Sequence, residues 1–149
     1  KLEYVLISEI VEKILDMFPR MKEKINVHNI IPNEKIRVDE TKFIIALRNL
    51  IDNAMKYSRG KKVILNIEKN DGIKFHVQDL GIGISDENIE QITEPFFQAD
   101  QSVSTKGFGL GLAICKKIIE SHKGRLFIQS KIGQGSTFTL HLPSLPIKG

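Results

Sequence analysis

Glu40-Thr-Lys-Phe43-Ile-Ile-Ala-Leu47-Arg48-Asn49-Leu50-Ile-Asp-Asn53-Ala54-Met-Lys56-Tyr57 is the stretch on which the fold turns. Phe43, Leu47, Leu50 and Ala54 recur at steps of four, three and four, the signature of a helix with one apolar face. The spacing predicts a helix over 40–57 that lies on a core. Beside the apolar stripe runs a polar one. Asn49, Asn53 and Lys56 are four and three residues apart and share an arc of ~60°. Amide oxygens suit a Mg²⁺ ion and an ammonium suits phosphate. An Asn/Lys face on a surface helix is also what plain solvation produces, and the helix alone leaves both readings open.

On the N-terminal side, Ile10, Val11, Ile14, Leu15 and Phe18 give a second amphipathic helix over 8–21. Short strands are expected over 26–31 and 35–38, split by the turn pair Pro32-Asn33. On the C-terminal side, strands over 63–68 and 73–79 read as a hairpin across Asn70-Asp71-Gly72. A short helix over 86–92 follows, with Ser85 at its N-cap, then an irregular polar stretch over 95–106. A helix over 110–121 and two strands over 125–130 and 137–142 complete the pattern. Helices alternating with hairpin-like strands predict an α/β fold: a two-layer sandwich with a mixed, mostly antiparallel sheet packed on about three helices.

The chain has 149 residues, 41% of them hydrophobic and 27% charged, which suits one domain over 1–149. A domain of this size buries roughly 70% of its unfolded surface and needs no staple. Cys115 is the single cysteine, so an internal disulfide is excluded. No apolar run reaches the ~18–20 residues of a membrane span, and the first residues do not read as a signal peptide. The net charge is +4, but the lysines are scattered and form no basic arm, which argues against nucleic acid.

Two glycine clusters stand out, Asp79-Leu-Gly81-Ile-Gly83 and Gly107-Phe-Gly109-Leu110-Gly111-Leu112. Glycines two apart let backbone approach a ligand and expose N–H groups. The second cluster opens into a helix, whose N-terminus favours phosphate. Loop glycines without a ligand remain the plain alternative for either cluster. The third glycine of a dinucleotide fingerprint is missing from both clusters, as Asp86 and Leu112 occupy its place, and no Gly-Lys-Ser/Thr follows. Asp79 shares parity with Ile73, Phe75 and Val77, so its carboxylate leaves the core side of a strand and needs a partner. That partner is a ligand amino group or, on the plain reading, nearby turn backbone.

Four segments occur in a fixed order: Arg48-Asn49-Leu-Ile-Asp-Asn53-Ala-Met-Lys56-Tyr57-Ser58, Asp79-Leu-Gly81-Ile-Gly83, Glu94-Pro95-Phe96-Phe97, and Gly107-Phe-Gly109-Leu110-Gly111-Leu112. Together they resemble the N box, first glycine box, F box and second glycine box of the catalytic, ATP-binding domain of bacterial sensor histidine kinases. The resemblance spans about 8–143 and implies the Bergerat-type sandwich shared with gyrase, heat-shock chaperone and mismatch-repair ATPases. It implies ATP and Mg²⁺ as cofactors. Asn53 would hold Mg²⁺, Asn49 and Lys56 would act at the phosphates as the catalytic pair, and Tyr57 would lie against the nucleotide. Asp79 would accept from the adenine amino group, with Gly81 and Gly83 shaping that wall. Gly107, Gly109, Leu110, Gly111 and Leu112 would border the triphosphate, and Thr137 would reach the adenine end. Phe96 and Phe97 would anchor a lid over 98–106. Gln98 stands where many members carry Arg, so Lys106 is the cation that could take the lid's contact with the terminal phosphate. Phe108 replaces a small residue of the second glycine box.

Hydrolases of that superfamily resemble one another in carrying Glu four residues before the metal-binding Asn. Here the position is Asn49, and an amide cannot accept a proton at neutral pH. The acceptor must then bring its own activation, which in sensor kinases is a His followed by an acidic residue. None of His28, His76, His122 and His141 is followed by Asp or Glu. The reading is thus a catalytic part that phosphorylates a histidine on a separate dimerisation domain, with a response regulator as the indirect partner. The fragment itself is expected to be monomeric and cytoplasmic, and its parent a homodimer anchored in the inner membrane. A stand-alone serine kinase of the anti-sigma type and a non-catalytic docking module are the alternatives. The helix over 8–21 and the second glycine box favour the sensor kinase over the former. Intact Asn53, Asp79 and Gly109 speak against the latter.

Overall fold

The computed structural model describes residues 1–94 and 111–144. In chain order the elements are β1 (Glu3–Leu6), α1 (Ile7–Asp16), β2 (Ile25–Asn29), β3 (Lys35–Val38), α2 (Glu40–Ser58), β4 (Val63–Lys69), β5 (Ile73–Asp79), α3 (Asp86–Ile89), α4 (Gly111–Ser121), β6 (Arg125–Lys131) and β7 (Gly135–Leu142). Five strands form one sheet in the order β2-β4-β5-β7-β6. Its β2–β4 pair is parallel and the other pairs are antiparallel. One face of this sheet is covered by helices, giving the two-layer α/β sandwich that the sequence predicts.

The alternation of β5 shows how the layers meet. Ile73, Phe75, Val77 and Asp79 are buried, while Lys74, His76 and Gln78 are half-exposed on the other face. Phe43, Leu47, Leu50 and Ala54 of α2 are fully buried against that inner face. The Phe43 and Phe75 rings meet edge to face with centroids 5.0 Å apart, a geometry that adds to their burial. α2 starts where the Asp39 side chain accepts from the Lys42 N–H at 3.1 Å, a standard N-cap. It stops at Arg59, which takes the left-handed conformation (φ 54) before Gly60 (φ 86).

Three details differ from the sequence reading. α1 ends at Asp16 rather than near 21, because Pro19 lacks an N–H and its ring clashes with the preceding turn. β3 does not pair with β2. It joins β1, an unexpected strand, in a separate two-stranded antiparallel sheet. α3 is one turn long, and the Ser85 hydroxyl makes no capping bond, although its carbonyl accepts from the N–H groups of Asn88 and Ile89. α4 closes on Lys123, which takes the left-handed conformation (φ 60), and at Gly124 a Cβ would lie 2.3 Å from the His141 carbonyl.

Candidate functional site

The apolar stripe fixes how α2 lies on the sheet, and that fixes where its polar stripe points. Asn49 and Asn53 are half-buried, and Asn49 lies on the flank towards α4. Asn49 Nδ2 donates to the Gly111 carbonyl at 3.3 Å, and the Arg48 guanidinium donates to Asn49 Oδ1 at 3.3 Å. The first residue of α4 therefore sits on the polar face of α2. Lys56 pairs with Asp52 one turn earlier at 3.4 Å. Tyr57 is buried at the last turn. The Asn53 side chain is unusual, because its Nδ2 is buried with no hydrogen-bond partner among the described residues.

Asp79 is 1% exposed at the last position of β5. Its Oδ1 accepts from the Gly81 N–H at 2.9 Å, while Oδ2 is buried and has no partner among the described residues. Burial pushes its pKa upward, and the backbone N–H groups of Gly81 and Ser136 oppose that shift. A carboxylate with one satisfied and one orphaned oxygen, both removed from water, is costly to the fold unless a donor arrives. Among the described residues, Asn53 and Asp79 thus each leave one buried polar atom without a partner.

The glycines make this edge possible. A Cβ on Gly81 would stand 1.8 Å from the Tyr57 carbonyl, so the turn after β5 rests directly on the end of α2. Gly83 has φ +77, and a Cβ there would lie 2.0 Å from the Lys131 carbonyl. Gly135, with φ +95, passes equally close to the Asp79 carbonyl. Each contact is backbone on backbone, which no side chain tolerates.

Thr137 pairs with Gln78 and Gln129, and strand alternation turns it to the outer face, away from Asp79. The residue opposite Asp79 is Ser136, which is buried and exchanges a hydrogen bond with Ser130 at 2.7 Å. Parity with the buried Phe138, Leu140 and Leu142 was the signal that could have found it. Thr137 instead borders an open groove of about 330 Å³ with Gln78, Gln129, Lys131 and Gln134. Leu112 is buried in the α2–α4 packing. Phe97, Lys106, Gly107, Gly109, Leu110 and the lid expected over 98–106 lie outside the described residues. Among the described residues, no three His, Cys, Asp or Glu side chains gather as a metal cluster.

Residues 38–146 match the family described as histidine kinase-, DNA gyrase B- and HSP90-like ATPases. The chain belongs to this family. Within it, the chain is similar to the sensor-like histidine kinase SenX3 of Mycobacterium tuberculosis, with 44% identity over 117 residues, 76% of this chain and 28% of the relative. It is also similar to the sensor protein kinase WalK of Staphylococcus haemolyticus, with 35% identity over 154 residues, 91% of this chain and 25% of the relative. The chain thus spans about a quarter of the curated relatives it matches. Among solved structures, a mycobacterial sensor histidine kinase, MprB, superposes with a TM-score of 0.81 at 26% identity over 99% of this chain and 100% of that one. Full-length ShkA in complex with AMPPNP gives 0.78 at 29% identity over 96% of this chain and 31% of that one. This histidine-kinase-type domain therefore has the fold and the sequence relatives of a sensor kinase catalytic module.

Proposed function

We propose that this domain binds ATP and Mg²⁺ and donates the γ-phosphoryl group to a histidine on a separate dimerisation domain. A response regulator is then the onward acceptor, and in a membrane-anchored parent the domain works on the cytoplasmic side. No helix among the described residues is long and apolar enough to cross a membrane. The observation that carries the reading is Asp79, whose buried Oδ2 lacks a donor among the described residues, one that the amino group of adenine supplies. Asn53 fits the metal. Its carboxamide has one buried end with no partner among the described residues, and a half-turn of the group presents an oxygen, the atom a hard cation takes. Bound Mg²⁺ would neutralise charge on the phosphate oxygens during transfer.

The protein's own groups then divide the work. Asp79 and the glycines beside it hold the base, and Lys56 offers its ammonium to the phosphates while Asp52 steadies it. Asn49 is tied to Arg48 and Gly111 and has no basic lone pair for activating water. Hydrolysis is therefore disfavoured, and the phosphoryl group waits for a nucleophile that carries its own base.

Calorimetry with ATP and GTP tests the base assignment. Guanine presents a carbonyl where adenine presents the amino group, and an acceptor facing an acceptor is repelled. ATP should bind at least about tenfold more tightly than GTP. Equal affinities would remove Asp79 from the base pocket.

A further inference from the structure

His122, beyond the far end of α4, is bonded at both ring nitrogens. Its Nε2 accepts from the Asp39 backbone N–H at 3.0 Å, and its Nδ1 lies 2.8 Å from the Ile118 carbonyl. An amide N–H only donates and a carbonyl only accepts, so the ring is neutral with its proton on Nδ1. Asp39 is the N-cap of α2, and 83 residues separate it from His122. The ring also meets Phe43 edge-on with centroids 6.4 Å apart, and Phe43 in turn packs on Phe75 of β5.

The consequence lies in how α2 and α4 are joined. At the site end, Asn49 donates to Gly111. At the other end, roughly 14 Å away along the helix axis, His122 holds Asp39. We infer that His122 is a positioning residue: it clamps the start of α2 to the end of α4 and so sets the spacing at which Asn49, Asn53 and Lys56 face the first turn of α4. The clamp exists only with a neutral ring. A proton on Nε2 would set donor against donor at the Asp39 N–H and break the bond.

The charged groups around the ring do not replace that bond. From the turn before α2 comes the Asp39 carboxylate, which already accepts from the Lys42 N–H and the Lys1 amine. From α2 comes the uncharged Phe43. Glu120 and Lys123, its neighbours in the chain, are exposed. A protonated ring could swing towards the Asp39 carboxylate, but that motion also abandons the backbone N–H.

The inference goes beyond the nucleotide reading and is tested with and without nucleotide. Nitrogen NMR of His122 should show Nδ1 protonated and Nε2 bare at neutral pH; a proton on Nε2 would overturn the clamp. Amide exchange of Asp39 and the first turn of α2, and affinity for an ATP analogue, are then compared at about pH 8 and about pH 5. His122→Gln keeps an acceptor near Nε2 and cannot titrate, whereas His122→Phe keeps the ring contact and has no acceptor. Protection and affinity in the wild type should fall about tenfold between the two pH values, after subtraction of the Gln variant, which removes the nucleotide's own titration. His122→Phe should be low at both. A Gln variant with the wild-type pH slope, or a Phe variant equal to wild type at pH 8, contradicts the proposal. If no variant binds nucleotide while the exchange pattern holds, the clamp stands and the nucleotide reading falls.

Discussion

Replacing Asp79 by Asn should weaken ATP binding and stabilise the empty protein. In the structure Oδ1 is taken by the Gly81 N–H, and Oδ2 is buried without a partner among the described residues. In Asp79→Asn the amide oxygen keeps the Gly81 bond and the NH₂ replaces Oδ2, facing the adenine amino group donor to donor. A hydrogen bond to a charged group contributes about 1.5–3 kcal/mol, so affinity should drop about ten- to a hundredfold by calorimetry at neutral pH. The stability effect has the opposite sign. Burial raises the Asp79 pKa above its usual 3.8, so the folded state keeps its proton to higher pH than the unfolded chain. Wild-type stability from this group is fully present below about 3.8 and declines as pH rises through the raised value. A neutral amide escapes that loss, so Asp79→Asn should show a higher urea midpoint than wild type at neutral pH and little difference in acid. Unchanged affinity in a folded variant, or a lower midpoint at neutral pH, would refute the reasoning.

Asn53→Ala should remove the Mg²⁺-dependent part of ATP binding and all phosphoryl transfer while metal-free binding largely survives. Calorimetry with Mg²⁺ and with chelator checks this, and a normal Mg²⁺ dependence would make the polar face of α2 a solvated one. Gly83→Ala should cost about 2 kcal/mol or more in urea unfolding, since it meets both a left-handed φ and the Lys131 carbonyl. Cys115 is fully buried, and burial pushes its thiol up to about 12. Its labelling by a disulfide reagent at pH 8 should therefore follow opening of the α2–α4 packing and accelerate in urea; rapid labelling of the folded protein would contradict the burial.

What could be read from the sequence was whatever repeats locally. The α2 stripe and the β5 alternation set out both faces of the sandwich, because burial imposes a period on each element. β1 has four residues, two of them exposed at its start, and its partner β3 starts only at Lys35, so no local pattern announced it. The pairing of β2 with β4 across α2 was equally hidden. At the site, parity puts Asp79 on the inner face of β5, and the same alternation in β7 turns Ser136 inward and Thr137 outward. The His122 bond could not be foreseen at all, since it joins the cap of one helix to the end of another through a backbone N–H. Residues of the second glycine box other than Gly111 and Leu112 were legible as a motif only.

The central claim is tested most directly by following the γ-phosphate. The protein is incubated with Mg²⁺ and γ-labelled ATP, alone and with a histidine-bearing sensor-kinase dimerisation domain as a separate polypeptide, and the label is located and treated with acid. The account predicts very slow release of phosphate by the protein alone, no label on His28, His76, His122 or His141, and acid-labile label on the added polypeptide at a rate that rises with its concentration. Rapid multiple-turnover hydrolysis by the protein alone, or acid-stable label on a serine of an added partner, would contradict it.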